Sequence, residues 1–209
     1  MLPSTFKPKA PAEFIGHAGD VAAQLDRLLA EAIPTGTPLK ILLLGKPGIG
    51  KTELAEYVMR RLKADRWHTT LLNGTQVGIE QIEEIARSLH YKELFASYRV
   101  IRFEEVDKLS RVAQVRALTM FDELPRYTAV LCTSNCKLED LEERFQSRFI
   151  CFVVKSPTAD AIETLILRLA PQLPVPTARQ IATFACGNVR LALLEADTAL
   201  IGEPQLLAA

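Results

Sequence analysis

The order of hydrophobic and polar positions divides the chain into short apolar runs and longer amphipathic segments. Apolar runs of about four to eight residues, bounded by turn residues, are typical of strands buried on both faces of a parallel sheet. Five stretches fit this description. The predicted strands are LKILLL from Leu39, WHTTLLN from Trp67, VIRFEE from Val100, TAVLCTS from Thr128 and FICFVV from Phe149.

The longer segments carry apolar residues three or four positions apart, which is the spacing of one face of a helix. One precedes the first predicted strand and the others lie between strands. Alternation of strands and helices predicts an α/β fold, with a five-stranded parallel sheet sandwiched by helices. The predicted helices are Asp20 to Ile33, Thr52 to Lys63, a segment from Ile79 to Leu89, Val112 to Leu124 and Leu138 to Gln146.

The strand pattern stops after Ser156. Three helical segments follow, roughly from Ala159 to Leu169, Thr177 to Cys186 and Val189 to Leu200. These segments predict a small all-helical subdomain. We therefore expect an α/β core over residues 1–155, with residues 1–12 as a flexible leader, and a three-helix subdomain over residues 156–209.

Composition and net charge restrict the partners and the cellular location that we expect for the protein. The chain has 209 residues, of which 48% are hydrophobic, and its 25 basic and 25 acidic residues cancel. No overall field would therefore attract DNA or an anionic membrane, and a nucleic-acid contact would need a local basic patch. No apolar run approaches the roughly 20 residues that span a bilayer, and no signal peptide is visible, so we expect a cytoplasmic protein without a membrane partner. The four cysteines are scattered, which favours buried free thiols over a metal site.

The sequence GKPGIGKT, from Gly45 to Thr52, follows the first predicted strand and opens an amphipathic helix. It fits the pattern G-x-x-x-x-G-K-[ST] in the context that this pattern requires. The glycines let the backbone approach phosphate oxygens, and the helix N-terminus favours an anion. Lys51 would reach the β- and γ-phosphates, and the Thr52 hydroxyl would bind Mg²⁺. The motif predicts a P-loop NTPase, with a plain glycine-rich turn as the alternative.

Two carboxylates, Glu104 and Glu105, end the third predicted strand. A bound triphosphate with Mg²⁺ needs one carboxylate for the metal and one group that orients the attacking water. Because successive side chains of a strand point in opposite directions, the two glutamates have different roles. We expect Glu104 to face the metal, usually through water, and Glu105 to face the nucleophile. The alternative is a pair of solvated carboxylates at a strand end.

Other polar and basic residues are further candidates for contacts with the nucleotide or with nucleic acid. Asn135 follows the fourth strand, where its amide would orient the water or contact the γ-phosphate, unless it only caps the next turn. Arg144, Arg148 and Arg190 are candidates to stabilise charge on the γ-phosphate, with surface ion pairs as the alternative. The basic segment RRLKADR, from Arg60 to Arg66, suits a helix C-terminus, and nucleic-acid contact is its alternative.

In this order the motifs resemble those of the AAA+ ATPase family, from about Glu13 to Leu200. EFIGHAGDVAAQLDRLL is similar to the family's N-terminal segment, and the resemblance implies that Phe14, Ile15 and Gly16 lie against adenine. GKPGIGKT resembles the Walker A motif, and VIRFEEVDKL resembles Walker B.

Three single residues extend the resemblance. Asn135 is similar to sensor 1, Arg148 in QSRF to the arginine finger, and Arg190 in GNVR to sensor 2 on a helical lid. RVAQVRALTMFDELPRYTAVLCTSN followed by ERFQSRF is similar to clamp-loader ATPase subunits and to related helicase loaders and Holliday-junction motors. This likeness implies that Arg148 serves a neighbouring subunit.

The chain departs from the family pattern in Walker B. Glu104 stands where the family usually has aspartate, so we expect altered handling of Mg²⁺. Arg102 lies inside the strand on the same face as Glu104. A buried unpaired arginine is costly, so Arg102 must reach solvent, a partner carboxylate or another subunit. We also expect the chain to lack the C-terminal collar of clamp-loader subunits.

The resemblance implies an oligomeric, Mg²⁺-dependent ATPase of clamp-loader or helicase-loader type, acting in DNA replication, recombination or mobile-element biology. Its partners would be further copies or related AAA+ subunits, with DNA or a replication protein left open. One alternative is a nucleotide-binding assembly switch with negligible hydrolysis, because Walker B is altered. A second is a small P-loop kinase that transfers phosphate to a metabolite.

The resemblance also implies a role for each site residue. Lys51, Glu105, Asn135 and Arg148 would be catalytic, and Thr52 and Glu104 would hold Mg²⁺. The nucleotide-binding residues would be Ile15, Gly16, Gly45, Pro47, Gly48, Ile49, Gly50, Lys51, Thr52, Glu53 and Arg190.

Overall fold

The strands agree with the sequence pattern. A computed structural model describes residues 1–64, 67–89, 98–140 and 143–202. Within these residues the strands form a parallel sheet in the order β2-β3-β4-β1-β5, which confirms the predicted five-stranded α/β fold. The strands are β1 (Leu39–Leu44), β2 (Thr69–Asn73), β3 (Arg99–Glu104), β4 (Thr128–Ser134) and β5 (Ile150–Val153).

Helices precede, connect and follow the strands. None of the helices in the described residues is long and apolar enough to cross a membrane. The α-helices are α1 (Leu2–Thr5), α2 (His17–Thr35), α3 (Lys51–Arg61), α4 (Ile79–Ser88), α5 (Arg111–Asp122), α6 (Glu143–Gln146), α7 (Ala159–Leu169), α8 (Val175–Phe184) and α9 (Val189–Ile201). Short 3₁₀ turns occupy Pro11–Glu13, Val106–Lys108 and Leu138–Asp140.

Two predicted segments include residues outside the described ranges. The helix expected from Leu138 to Gln146 is, in its described part, a 3₁₀ turn followed by α6, and residues 141 and 142 lie outside the described residues. Arg66, at the end of the basic segment, also lies outside them.

The described residues divide into two compact units. The sheet unit contains Gln24–Gly45 and Ala55–Val153. The terminal unit contains Met1–Ala23, Lys46–Leu54 and the described residues from Val154 on, so it combines N- and C-terminal segments with all of the GKPGIGKT segment except Gly45. The domain boundary expected near residue 155, and the action of the C-terminal helices as a lid, stay predictions.

One hydrophobic cluster of the sheet unit packs on one face of β3 and β4. Ile101 and Phe103 of β3 belong to the same buried cluster as Phe121 of α5. The Phe121 ring meets three other rings edge to face, with centroid distances of 5.2 to 6.0 Å. These partners are Phe103, Phe145 and Phe149. Burial of several aromatic rings fixes β3 against α5, and therefore fixes the loop that follows β3.

The core of the terminal unit joins α7, α8 and α9. Ile162, Ile181 and Ala192 are buried in it, one from each helix. The segment expected to be a flexible leader contains α1, and the Leu2 backbone N–H donates a 2.7 Å hydrogen bond to Asp197 of α9. Leu2 packs against the same helices. The N-terminal residues thus contribute to the packing of the terminal unit.

The cysteine thiols are free, as expected. Cys132 of β4 is fully buried, and burial raises its pKa well above its usual value. Cys136 and Cys151 are half-buried. The expectation of buried thiols is wrong for Cys186, which is exposed just after α8 in a left-handed turn.

Candidate active site

The loop that joins β1 to α3 bends through glycines at positive φ. The φ angles of Gly45, Gly48 and Gly50 are 148°, 77° and 100°. A Cβ added to Gly50 would meet no heavy atom within 4 Å, so the loop is open beside this residue. Lys51 is only 7% exposed, and its Nζ donates a 2.8 Å hydrogen bond to the Lys46 carbonyl oxygen. Open space, a buried ammonium and the first turn of a helix together suit an anionic ligand.

The remaining residues of the loop differ in exposure. Pro47 is exposed, whereas Ile49 is buried. Thr52 and Glu53 are half-buried in the first turn of α3. The Thr52 hydroxyl therefore lies at a helix N-terminus, where the sequence pattern expects it.

The predicted adenine-binding segment lies in the terminal unit. Phe14 is buried, and Ile15 is half-buried against the clusters of α7, α8 and α9. Gly16 has a φ of 54°, and a Cβ there would lie 3.2 Å from Pro157. This close approach explains why glycine occupies the position.

The N-terminus of α9 contacts the glycine-rich loop directly. The Arg190 backbone N–H donates a 3.1 Å hydrogen bond to the Gly48 carbonyl oxygen. Asn188 caps α9 by accepting a hydrogen bond from the Leu191 N–H, and its side chain fills the space beside Gly48, where a Cβ would lie 1.9 Å from Asn188 Oδ1. The Arg190 side chain is exposed. The structure thus brings Arg190 to the loop through its backbone. It also places Asn188 there, a residue that was not predicted although asparagine before an apolar run is a helix-start signal.

Glu105 and Asn135 come together at the ends of β3 and β4. These strands are parallel neighbours, so their C-terminal ends lie at one edge of the sheet. The Asn135 amide donates a 3.1 Å hydrogen bond from Nδ2 to Glu105 Oε1. The Glu105 backbone N–H donates to the Thr133 hydroxyl at 3.3 Å. A carboxylate and an amide held at this distance can bind and orient one water molecule.

Asp107 connects the same two strand ends and was not predicted. Its Oδ1 accepts a 2.6 Å hydrogen bond from the Ser134 hydroxyl and a 3.3 Å hydrogen bond from the Asn135 backbone N–H. Asp107 therefore fixes the backbone that carries the Asn135 side chain. Asp107 follows Glu105 by two residues, and this spacing could have indicated that both lie near the same strand end. Strand alternation does not extend into the 3₁₀ turn that contains Asp107, so the residue was not predicted.

Arg102 is paired with carboxylates of its own chain. Of the three predicted alternatives, which were solvent, a partner carboxylate and another subunit, the second is therefore correct. Its side chain is 5% exposed and forms ion pairs with Glu56 of α3 and with Glu104. The contact with Glu104 agrees with the predicted shared face. Glu56 was missed, because nothing in the local pattern relates α3 to β3. The predicted metal ligand Glu104 is therefore already paired with a cation.

Arg148 lies just before β5 and forms an ion pair within its own chain. Its Nε and Nη2 donate hydrogen bonds of 2.8 and 2.7 Å to the two carboxylate oxygens of Asp122, and its Nη1 donates to the Arg144 carbonyl oxygen at 2.9 Å. The hydrogen bonds from Arg148 hold the pKa of Asp122 below its usual value. Both side chains are accessible to solvent.

The residues present suit the phosphates of a nucleoside triphosphate. They suit Mg²⁺ less well, because the predicted metal ligand Glu104 is already paired with Arg102. The loop offers backbone N–H groups and the buried Lys51 ammonium to phosphates. Within the described residues no cluster of three or more His, Cys, Asp or Glu side chains forms a ready-made metal site. Mg²⁺ bound with a nucleotide commonly uses only one or two protein groups, and the sequence predicts Thr52 and Glu104 for this role. Glu104 could bind the metal only in competition with Arg102.

Comparison with known proteins identifies the family. The model of the family described as AAA domain (dynein-related subfamily) matches residues 40–154, which include the glycine-rich loop and the ends of β3 and β4. The chain belongs to the AAA domain family. The resemblance of its motifs to AAA+ ATPases is thereby confirmed, and members of this family are generally ATPases.

Relatives place the chain within the AAA+ proteins. It is 23% identical over 199 residues to probable replication factor C subunit 5 of Dictyostelium discoideum, covering 90% of this chain and 56% of that protein. It is 25% identical over 203 residues to replication-associated recombination protein A of Escherichia coli K12, covering 92% and 44%. The chain thus spans about half the length of the curated relatives it matches.

A solved structure supports the fold. The RuvB Holliday junction branch migration motor of Thermotoga maritima superimposes with a TM-score of 0.75 at 22% identity, covering 96% of this chain and 69% of that one. The chain is therefore an AAA+ protein with a P-loop NTPase fold, related to clamp-loader subunits and similar in fold to a Holliday-junction motor.

Proposed function

We propose that this AAA+ chain binds and hydrolyses ATP as part of an oligomer that acts in DNA replication, recombination or mobile-element biology. Its family supports nucleotide binding, and the names of its relatives, a replication factor C subunit and a replication-associated recombination protein, support the process. The role would be that of a clamp-loader-like or helicase-loader-like protein.

In this proposal the glycine-rich loop binds the phosphates of ATP. Backbone N–H groups of the loop from Gly45 to Glu53 and the Lys51 ammonium contact the β- and γ-phosphates. Ile15 and Gly16 lie against the base, and Arg190 of α9 responds to the nucleotide. The positive φ angles of the loop and the burial of Lys51 support these roles. Mg²⁺ would supply charge neutralisation at the phosphates, with Thr52 and Glu104 as its protein groups.

The hydrogen bond between Asn135 and Glu105 is the observation that carries the hydrolytic part. Glu105 would polarise the attacking water and Asn135 would position it. The two groups come from adjacent strand ends and lie within hydrogen-bonding distance of each other, and Asp107 holds the Asn135 backbone in place. Positioning of the nucleophile is a main source of catalysis in phosphoryl transfer.

Arg148 would complete the site of a neighbouring subunit, either another copy of this chain or a related AAA+ protein. Its pair with Asp122 is accessible to solvent, and exposed ion pairs contribute only about 0–1 kcal/mol. Arg148 can therefore leave Asp122 for the more highly charged γ-phosphate at small cost. DNA or a replication protein is a further partner under this proposal.

One observation favours a second function, that of a nucleotide-binding assembly switch with negligible hydrolysis. Arg102 holds Glu104, the carboxylate expected to serve the metal. If Glu104 does not reach Mg²⁺, ATP binding would still order the loop and α9, and turnover would be slow.

A phosphate-release assay on the purified protein tests the proposal, with and without DNA. Lys51→Ala should remove all signal, and the matched control Lys155→Ala, which truncates an exposed lysine, should not. ATP binding measured in parallel separates the two functions: binding with turnover supports the ATPase, and binding without turnover supports the switch. Absence of ATP binding by the wild-type protein would refute both.

A further inference from the structure

Arg102 is a charged side chain inside a largely buried strand. β3 lies between β2 and β4, and Arg102 is aligned with Leu71 on one side and Leu131 on the other. The Arg102 side chain is 5% exposed. A guanidinium stays protonated under all ordinary conditions, so this cation is a permanent feature of the site.

Two carboxylates hold the Arg102 guanidinium at its two ends. Nη1 donates to Glu56 Oε1 and Nη2 donates to Glu104 Oε1, while Nε has no hydrogen-bond partner within the described residues. The side chains of Glu56 and Glu104 are 41% and 32% exposed. The carboxylates therefore reach solvent and the cation lies on their inner side.

We propose that Arg102 is an internal counter-ion for Glu104, so that nucleotide binding at this site depends only weakly on Mg²⁺. The inference rests on the proposed nucleotide-binding function. Arg102 neutralises Glu104 and fixes its orientation, which are the tasks that a bound metal has at such a carboxylate.

The physical argument is one of competition. A divalent ion that approached Glu104 would meet the positive charge of Arg102 on the other side of the same carboxylate, and like charges repel. Mg²⁺ also requires strict octahedral geometry and gives up water reluctantly. The guanidinium is already in place, partly desolvated and bound by two charges. Glu104 should therefore add little to metal binding while Arg102 is present.

The test measures the affinity of a fluorescent ATP analogue with Mg²⁺ and with EDTA. The wild-type affinity should change by less than about threefold between the two conditions, whereas Arg102→Met should lose about tenfold or more without Mg²⁺. Methionine fills similar space without charge, and the two glutamates that it leaves unpaired can be solvated. Arg102→Lys keeps a cation and should behave like the wild type.

Two further measurements test the proposal without relying on ATP turnover or on the folding of Arg102→Met alone. Electron paramagnetic resonance of Mn²⁺ should detect tighter metal binding to the nucleotide complex of Arg102→Met than to that of the wild type. Glu104→Gln tests the same point from the carboxylate side: if Arg102 already neutralises Glu104 and outcompetes Mg²⁺ for it, removal of the Glu104 charge should change the Mg²⁺ dependence by less than about threefold. Thermal melting would show whether each variant is folded.

The outcomes are distinct. A wild-type affinity that falls about tenfold or more in EDTA would overturn the role of Arg102 and leave the proposed function intact, and loss of that dependence in Glu104→Gln would assign the metal to Glu104. Equal Mg²⁺ dependence of the wild type and a folded Arg102→Met would do the same. If the wild type binds no nucleotide, or if Lys51→Ala binds it equally well, the proposed function fails and this inference fails with it.

Discussion

Glu105 is held in a backbone conformation that non-glycine residues rarely adopt, with φ of 51° and ψ of 52°. The left-handed region costs an L-residue roughly 1–2 kcal/mol. Neighbours hold the residue there: the Thr133 hydroxyl accepts its N–H, and Gly74 lies so close that a Cβ would be 2.1 Å from the Glu105 carbonyl oxygen. Strain of this kind persists only where the surroundings impose it, and it is frequent at functional sites.

The charge of Glu105 should be needed for turnover and not for binding. Glu105→Gln keeps the shape of the side chain, and its amide oxygen can still accept the hydrogen bond from Asn135. It can no longer polarise water as an anion, so we expect turnover to fall at least about a hundredfold with ATP affinity within about threefold. Phosphate release and nucleotide titration on the same preparation measure the two quantities.

The control for this change is Glu84→Gln, which makes the same chemical change on the exposed face of α4. It should leave both quantities unchanged. Turnover by Glu105→Gln at the wild-type rate would remove Glu105 from the mechanism and favour a different water-activating group.

Strand alternation predicted part of this site and missed the rest. It placed Arg102 with Glu104 on one face, which the ion pair confirms, and Ile101 with Phe103 on the other, which the core cluster confirms. It did not predict Glu56, because the contact joins residues 46 positions apart in the chain. Nor did it predict Asp107, because the left-handed turn at residue 105 ends the alternation.

At the scale of elements, the N-terminus of α9 is coupled to the glycine-rich loop. The Asn188 side chain caps α9 and also packs beside Gly48. Ser110 caps α5 in the sheet unit by accepting a hydrogen bond from the Ala113 N–H. Asn188 and Ser110 thus make the same kind of helix cap, but only the Asn188 side chain also packs against the glycine-rich loop.

We expect Asn188→Ala and Ser110→Ala to lower the free energy of unfolding by a similar amount, about 1 kcal/mol each. Only Asn188→Ala should also weaken ATP binding, because only it removes packing from the loop. Urea denaturation gives the stability and nucleotide titration gives the affinity. A similar loss of affinity in both variants would mean that the effect comes from general destabilisation, without a specific link from α9 to the loop.

Elements with strong local signals were predicted well. The bounds of β1 and β4 agree with their apolar runs to the residue, and α7 begins and ends where its spacing predicts. The 3₁₀ turn at Val106–Lys108 was not predicted, and the hydrogen bond from the Ser134 hydroxyl to Asp107 within it joins residues 27 positions apart, which no local pattern carries. The order of the strands in the sheet likewise depends on tertiary contacts that no local pattern carries.

In an assembly of several subunits, the partly exposed Arg148 is the predicted candidate for use by a neighbour. Arg148 pairs with the solvent-accessible carboxylate of Asp122, and its own side chain is also reached by solvent. A head-to-tail assembly presents such a residue to the next subunit at every interface. The resemblance to the AAA+ family predicts this role for Arg148, and an experiment that combines two kinds of subunit tests it.

Mixing two inactive variants provides that experiment. Lys51→Ala lacks phosphate binding and keeps Arg148, whereas Arg148→Ala lacks the arginine and keeps an intact loop. If Arg148 acts in trans in a homo-oligomer, random mixing restores about one interface in four, so the mixture should hydrolyse ATP although neither variant does. Arg87→Ala, which truncates an exposed arginine of α4, should be active alone. An inactive mixture, with an oligomer detected by light scattering, would mean that Arg148 serves its own subunit or a different AAA+ partner.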